Sequence, residues 1–231
     1  MKDIAIILGI RPDVIRASKI LKLLESSNNL TYDFIWSGQH YSENMKDVFF
    51  EQLNVPKPNV EFEIEKGNDA AIVSSVIKNI YNHLEKNKYK AVIFLGDTNT
   101  VMGSIAVAQH NIPIVHIEGC MRSYDWRMPE EKYRTTIDHL SDRIYAYLDE
   151  YKNQGLKEGI SEQIIKVTGN PIVDIINENK NLFESGDQFL SQEISKLIEK
   201  DDFLLATVHR RENILDESSL KEIVNLINKT D

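Results

Sequence analysis

At 231 residues, with 42% hydrophobic side chains, the chain has apolar material for one large domain or one and a half average ones. A net charge of −9 disfavours a nucleic-acid surface, although a local arginine cluster can still hold a phosphorylated ligand. A single cysteine, Cys120, excludes an intramolecular disulfide and fits a reducing compartment.

Met1-Lys2-Asp3 leads into a short apolar run, Ile4 to Ile10. That run is too short for a signal-peptide core or for the ~20 residues of a membrane span. The expectation is a soluble, cytoplasmic protein with no membrane or nucleic-acid partner. Ile4 to Leu8 is continuously apolar, as in a strand covered on both faces of a parallel sheet. Gly9-Ile10-Arg11-Pro12 follows, and Pro12 suits the first turn of a helix whose apolar face is Val14, Ile15, Ala17, Ile20, Leu21 and Leu24. Tyr32 to Trp36 is a second strand, ending in Ser37-Gly38-Gln39-His40. Ser42 can cap a helix carrying Met45, Val48, Phe49 and Leu53, which Pro56 and Pro58 end. Val60, Phe62 and Ile64 alternate with glutamates, as in a half-exposed edge strand. Asp69 can cap a helix running to about Asn87.

Ala91 to Leu95 is the next strand, followed by a small-residue helix from Thr98 to His110. Ile114 to Ile117 follows, then a helix from Pro129 to about Leu140, and a strand from Ile144 to Tyr147. Asp149 can cap a helix ended by Gly159, and Gln163 to Val167 is a further strand. From 171 to 200 the chain is rich in Glu, Lys and Asn and reads as a helical connector. Phe203 to Val208 reads as a buried strand, and a last helix runs from about Glu217 to Asn228. The alternation predicts an α/β fold, a Rossmann-like doubly wound parallel sheet over 1–170. The connector at 171–200 then leads to 201–231, the start of an incomplete second domain. A lone strand there lacks neighbours for its backbone groups.

Residues just past the carboxyl ends of parallel strands line the ligand crevice of such sheets. Asp97 and Glu118 occupy two such places. Asp97 can equally cap the helix that begins at Thr98, whereas Gly119 after Glu118 leaves that carboxylate at the crevice. Facing carboxylates in a dry cleft have their pKa values pushed apart, so one can act as acid and the other as base. Glu130 and Glu131 follow Pro129, where favourable helix-dipole interaction is the simpler account of Glu131. Arg134, four residues after Glu130, can form an ordinary helical ion pair with it. Arg11 offers a cation at a helix N-terminus, suited to phosphate, and Arg16 one turn later is the type of residue found on a solvated face. His209-Arg210-Arg211-Glu212-Asn213 gathers an imidazole and two guanidiniums at one place, a signal for an anionic ligand. Gln39-His40 is a weaker case. No G-x-G-x-x-G pattern is present, which disfavours a dinucleotide cofactor, and His83, His110 and His139 show no metal-ligand spacing with a cysteine pair. Cys120, Trp126 and Tyr133 read as packing residues.

The ordered set Gly9-Ile10-Arg11-Pro12-Asp13, Ser37-Gly38-Gln39-His40, Gly96-Asp97-Thr98-Asn99-Thr100, His116-Ile117-Glu118, Met121-Arg122-Ser123, Pro129-Glu130-Glu131 with Arg134, Val167-Thr168-Gly169-Asn170 and His209-Arg210-Arg211-Glu212-Asn213 resembles the non-hydrolysing UDP-N-acetylglucosamine 2-epimerases. The resemblance covers nearly the whole chain. It implies the N-terminal half of a two-domain glycosyltransferase-B-type fold with a site in the interdomain cleft. It also implies inversion at C2 of a UDP-N-acetylhexosamine by elimination and re-addition of UDP, in polysaccharide synthesis, without metal or redox cofactor. Asp97, Glu118, Glu130 and His209 match catalytic positions. Arg11, Arg16, Gln39, His40, Arg122, Arg134 and Arg210 match substrate-binding ones. A homodimer, or a complementary C-terminal half, is the partner implied. Ile10 stands for the family's Thr, Asp13 for Glu, Arg16 for Lys, Gly119-Cys120 for Ala-Gly, and Lys132-Tyr133 for a pair that ends in Asn, which points to a divergent branch acting on a related UDP-2-acetamido sugar. Rival readings are a hydrolysing 2-epimerase that releases free sugar and UDP, a glycosyltransferase of the same fold, and a non-catalytic fragment that binds a partner half. Most of the family's second domain falls outside the 231 residues, so weak UDP binding by the chain alone is expected. Calorimetry tests this, and affinity equal to that of a two-domain enzyme overturns it.

Overall fold

The structure is a computed structural model that describes residues 1–38, 50–65, 67–181, 190–199, 205–208 and 216–229. Its two compact units are residues 1–179 and 180–231. The helix expected around Met45, with its Ser42 cap, falls mostly outside the described residues.

Unit 1 is a seven-stranded parallel sheet in the order β3-β2-β1-β4-β5-β6-β7. The strands are β1 (Lys2–Leu8), β2 (Tyr32–Trp36), β3 (Val60–Glu61), β4 (Tyr89–Leu95), β5 (Ile114–Ile117), β6 (Arg143–Ala146) and β7 (Ile165–Val167). The helices of this unit are α1 (Arg11–Ser26), α2 (Asp69–Lys86), α3 (Ser104–Gln109, entered through a 3₁₀ turn at Asn99–Gly103), α4 (Pro129–Leu140), α5 (Asp149–Lys157) and α6 (Pro171–Glu178). Both faces of the sheet are apolar, which is why β1 reads as an unbroken apolar run. Ala5 and Ile7 pack with Val76 and Ile80 of α2, Val107 of α3 and Ile137 of α4. Ile6 and Leu8, pointing the other way, pack with Val14, Ala17 and Leu21 of α1. Each of these Val, Leu and Ile side chains removed from water contributes about 1.5–3 kcal/mol. A third cluster, around Ile144 and Ile165, seats Leu156 of α5 against β6 and β7.

The chain leaves β1 on one side for β2 and on the other for β4, so the topological switch lies between β1 and β4. That is where a doubly wound sheet opens a crevice at its carboxyl edge. Register aligns Phe94 with His116 and Leu95 with Ile117, so Gly96-Asp97 and Glu118 emerge side by side.

Several local expectations are corrected. The cap of α2 is Asn68, whose side chain accepts from the Ala71 amide, and Asp69 is the first helical residue. Leu148, without a side-chain cap bond, precedes α5, leaving Asp149 in the first turn. Trp126 is exposed on the loop before α4. The helix α6, first of the stretch read as a connector, lies in unit 1 and packs against α1, with Lys19 Nζ 2.6 Å from Glu178.

In unit 2, α7 (Gln192–Ile198) is capped by Ser191 and α8 (Glu217–Ile227) by Asp216, whose carboxylate accepts from the Ser219 amide at 2.8 Å. Leu205–Val208, expected inside a buried strand, has no regular secondary structure, and Leu205 is 85% exposed. A strand exists only through a neighbour's hydrogen bonds, and the described residues of this unit contain no other strand.

Candidate active site

The candidate site is built on the ends of β1, β4 and β5. Gly96 takes a positive φ of 81°, and a side chain there would reach within 3.1 Å of Arg16 Nη2. The loop therefore passes close beneath the Arg16 guanidinium, which glycine permits. Glu118 itself has φ of 77° and Cys120 has φ of 64°. Non-glycine residues in this region store about 1–3 kcal/mol each and cluster at functional sites.

Two arginines meet the two carboxylates. Arg16, on the first turns of α1, pairs with Glu118 and donates to Asp13 Oδ1 at 2.9 Å. Arg134, on α4, pairs with Asp97 and lies 3.3 Å from Glu131. The Asp97 carboxylate is therefore not a helix cap; Thr98 holds that position. Nor does Arg134 pair with Glu130, which is half-buried on the first turn of α4 without a hydrogen bond or ion pair to any described residue. The Tyr147 hydroxyl, at the end of β6, donates toward Glu118 at 3.5 Å.

Burial raises the Glu118 pKa above the usual carboxylate range, and the Asp97 charge adds to this while Arg16 opposes it. Burial also raises the Tyr147 hydroxyl, with the Glu118 charge reinforcing it. Asp97 and Glu118 thus sit within electrostatic reach of each other, in unlike surroundings, the arrangement that separates an acid from a base.

Glu131 does more than face the helix dipole. It is buried, and its carboxylate accepts from the Ser123 amide at 3.0 Å, the Ser123 hydroxyl at 2.9 Å and the Tyr124 amide at 2.8 Å. Burial alone would raise its pKa, but those donors and Arg134 hold it low. Glu131 therefore fixes the loop that precedes α4.

Arg122 points away from the crevice. Its guanidinium donates to Glu158 at 2.9 and 2.6 Å, to Asp138 at 2.7 Å and to the Met121 carbonyl at 2.8 Å. Arg11 is exposed at the N-terminus of α1. Gln39, His40, His209 and Arg210 lie outside the described residues. Among the described residues, no cluster of three or more His, Cys, Asp or Glu could hold a metal ion, and no helix is long and apolar enough to cross a membrane.

Sequence reasoning passed over Asp13, Glu131, His116 and Asp138 as site residues. Asp13 carried a usable signal, an acidic residue directly after Pro12 at a helix start. Its carboxylate accepts from the Gly9 and Ile10 amides, both at 3.2 Å, and holds Arg16. Burial pushes its pKa up to about 6, against Arg16 and those amides. A raised folded value gives stability that is complete below the ordinary 3.8 and is lost as pH rises through about 6. A carboxyl-carbon NMR titration is expected to show Asp13 with its midpoint near 6, and an Asp13→Asn variant whose stability no longer carries that step. A midpoint at the ordinary value would overturn this.

A family model described as UDP-N-acetylglucosamine 2-epimerase matches residues 22–231. A Methanocaldococcus jannaschii UDP-N-acetylglucosamine 2-epimerase is 39% identical over 222 residues, covering 96% of this chain and 60% of that protein. A Pseudomonas aeruginosa UDP-2,3-diacetamido-2,3-dideoxy-D-glucuronate 2-epimerase is 34% identical, covering 96% of this chain and 62% of that protein. The crystal structure of the M. jannaschii UDP-GlcNAc 2-epimerase in complex with UDP-GlcNAc and UDP superposes with a TM-score of 0.86 at 37% identity, over 98% of this chain and 62% of that one. This chain spans about three-fifths of the length of the curated relatives it matches.

Proposed function

This chain belongs to the UDP-N-acetylglucosamine 2-epimerase family, and from that premise we propose that the Asp97–Glu118 crevice inverts C2 of a UDP-2-acetamido sugar, converting UDP-N-acetylglucosamine to UDP-N-acetylmannosamine. The observation that carries this is the emergence of Asp97 and Glu118 at adjacent strand ends, each against an arginine. One carboxylate takes the C2 proton. The C–H electron pair becomes the C1=C2 double bond, and the C1–O bond breaks, its electrons leaving with UDP. A proton then returns to C2 from the opposite face, while the UDP oxygen re-adds at C1. The sequence balances without a redox cofactor. Asp97, ion-paired with Arg134, suits the base, and Glu118, with its raised pKa, suits the acid. Arg11 and the α1 N-terminus, with Arg16 and Arg134, supply cations for the diphosphate. Glu130, His209, Arg210, Gln39 and His40 belong to the same proposal by family position. Arg122 contributes through the loop it holds.

The test is incubation of the intact protein that carries this chain with UDP-N-acetylglucosamine in D₂O, followed by proton NMR. Loss of the H2 signal with appearance of UDP-N-acetylmannosamine is expected. Free sugar with UDP would favour the hydrolysing reading, and an unexchanged H2 would sink the epimerase one. The P. aeruginosa relative supports a diacetamido uronate as rival substrate, which the same spectrum resolves in competition. Exposed Leu205 and Val208 support a site completed by a complementary C-terminal half. Adding a polypeptide that supplies the part of the relatives' length not spanned by this chain should then raise activity. A cytoplasmic setting belongs to this reading, supported by a single cysteine, which is buried.

A further inference from the structure

We propose that His116 and Asp138 form a positioning pair, in which a charged imidazolium fixes the spacing of the strand ends that carry Asp97 and Glu118. The inference rests on the epimerase reading of that crevice. His116 lies fully buried on β5, two residues before Glu118. Its Nε2 is 2.8 Å from the Gly96 carbonyl oxygen, and its Nδ1 is 2.7 Å from Asp138 Oδ1. A carbonyl only accepts, so Nε2 carries a proton. Asp138 Oδ2 accepts from the Cys120 amide at 2.9 Å and from Arg122 Nη1 at 2.7 Å. A carboxylate so employed is ionised, so Nδ1 donates as well and the ring is a cation.

The charged groups that face this ring are Asp138 from α4 and Glu118 from the end of its own strand; Arg122, behind Asp138, balances the second carboxylate oxygen. Burial alone would lower the imidazole pKa. Asp138 and the Gly96 carbonyl outweigh it, and the net direction is up. Burial raises Asp138 in turn, and His116 and Arg122 bring it below its ordinary value.

The placement of the two bonds gives the pair its role. The Gly96 carbonyl belongs to the peptide that leads into Asp97. The Cys120 amide closes the turn that begins at Glu118, where two residues hold positive φ. His116 ties down the first of these backbones and Asp138 the second. Without them the turn keeps only the bonds from the Glu118 and Gly119 amides to the Tyr145 carbonyl, at 3.0 and 3.2 Å, to hold its strained geometry. The imidazolium also lowers the Glu118 pKa by its charge.

Two measurements test this. In the chain as it stands, nitrogen NMR is expected to show both His116 ring nitrogens still protonated at a pH above the ordinary imidazole value of 6.5. A neutral tautomer there would overturn the proposal and needs no variant. In the intact protein, His116→Gln is expected to lower kcat for H2 exchange about 100-fold, the effect of a small misplacement of reacting groups. KM for the UDP-sugar should hold within about twofold, since no substrate contact is lost. The limb of the pH profile set by Glu118 should move to higher pH, because a nearby cation is gone. A role in folding alone would reduce the yield of active protein and leave KM and the profile in place; that result overturns the proposal. If the variant does not fold, the nitrogen spectrum decides. A wild-type protein that exchanges H2, paired with a variant of unchanged rate and profile, sinks this inference alone. A wild-type protein that never exchanges H2 sinks the function reading instead.

Discussion

Glu118→Gln is expected to lower the rate of C2 proton exchange by about 10²–10⁴-fold, the range that a positioned general acid or base contributes. The change is close to isosteric. The amide oxygen can still accept from Arg16, and the backbone at φ 77° is already adapted to a side chain of this size. The fold should therefore survive, as circular dichroism would show, and the loss should fall on kcat. Two features explain why the effect should exceed that of neighbouring changes. Burial raises the Glu118 pKa, and among the described residues Glu118 is the carboxylate that contacts both Arg16 and the Tyr147 hydroxyl. Tyr147→Phe removes only a 3.5 Å contact and should cost far less. A Glu118→Gln protein that keeps exchange within tenfold of wild type would remove Glu118 from the chemistry.

Asp138→Ala is expected to be the most damaging single change to stability, by about 3–5 kcal/mol, because it leaves buried charges without their partner. The carboxylate is fully buried and serves three donors: the His116 ring, the Cys120 amide and Arg122. For a chain of this size each kcal/mol moves Tm by roughly 2–4 °C. The effect should depend on pH with a definite sign. In the wild-type protein the raised His116 pKa gives stability that is complete below the ordinary 6.5 and is lost as pH rises through its folded value. Without Asp138, burial dominates the imidazole, its folded pKa falls, and the unfolded chain takes up the proton first. The gap between wild type and variant should therefore widen from pH 8 to pH 5.5, by thermal melts at each pH. A gap that fails to widen would mean that His116 is neutral in the native protein.

The residues make plain which parts of this molecule could be known from sequence. The apolar runs at Ile4–Leu8, Ala91–Leu95 and Ile114–Ile117 name the central strands, because a sheet covered on both faces leaves no polar side to its strands. Glycine at position 96 and a carboxylate next to it mark a strand end at a crevice, and the order of such motifs marks the family. Helix-local rules went less far. They offered Glu130 as the partner of Arg134, Thr98 as the helix Asp97 would cap, and a solvated face for Arg16. Each arginine keeps a neighbour on its own helix, Asp13 for Arg16 and Glu131 for Arg134, but the partner at the crevice comes from another element: Asp97 for Arg134, Glu118 for Arg16. Arg122, placed with the substrate by motif, is spent on Asp138 and Glu158. Leu205–Val208 shows the same limit for a strand, since an apolar run supplies the side chains but not the neighbour.

By itself the sequence determined the parallel α/β architecture, the family, and the carboxylates Asp97 and Glu118 at two strand ends. Only the tertiary structure decided which arginine each carboxylate meets, that Asp13 and Glu131 are buried anchors, and that His116 joins the two strand ends through Asp138. The physical reason is range. Hydrophobic periodicity and turn chemistry act over a few residues and can be read along the chain. Ion pairs and buried charges form between residues such as Arg16 and Glu118, 102 positions apart, and exist only once register and helix packing have brought them together.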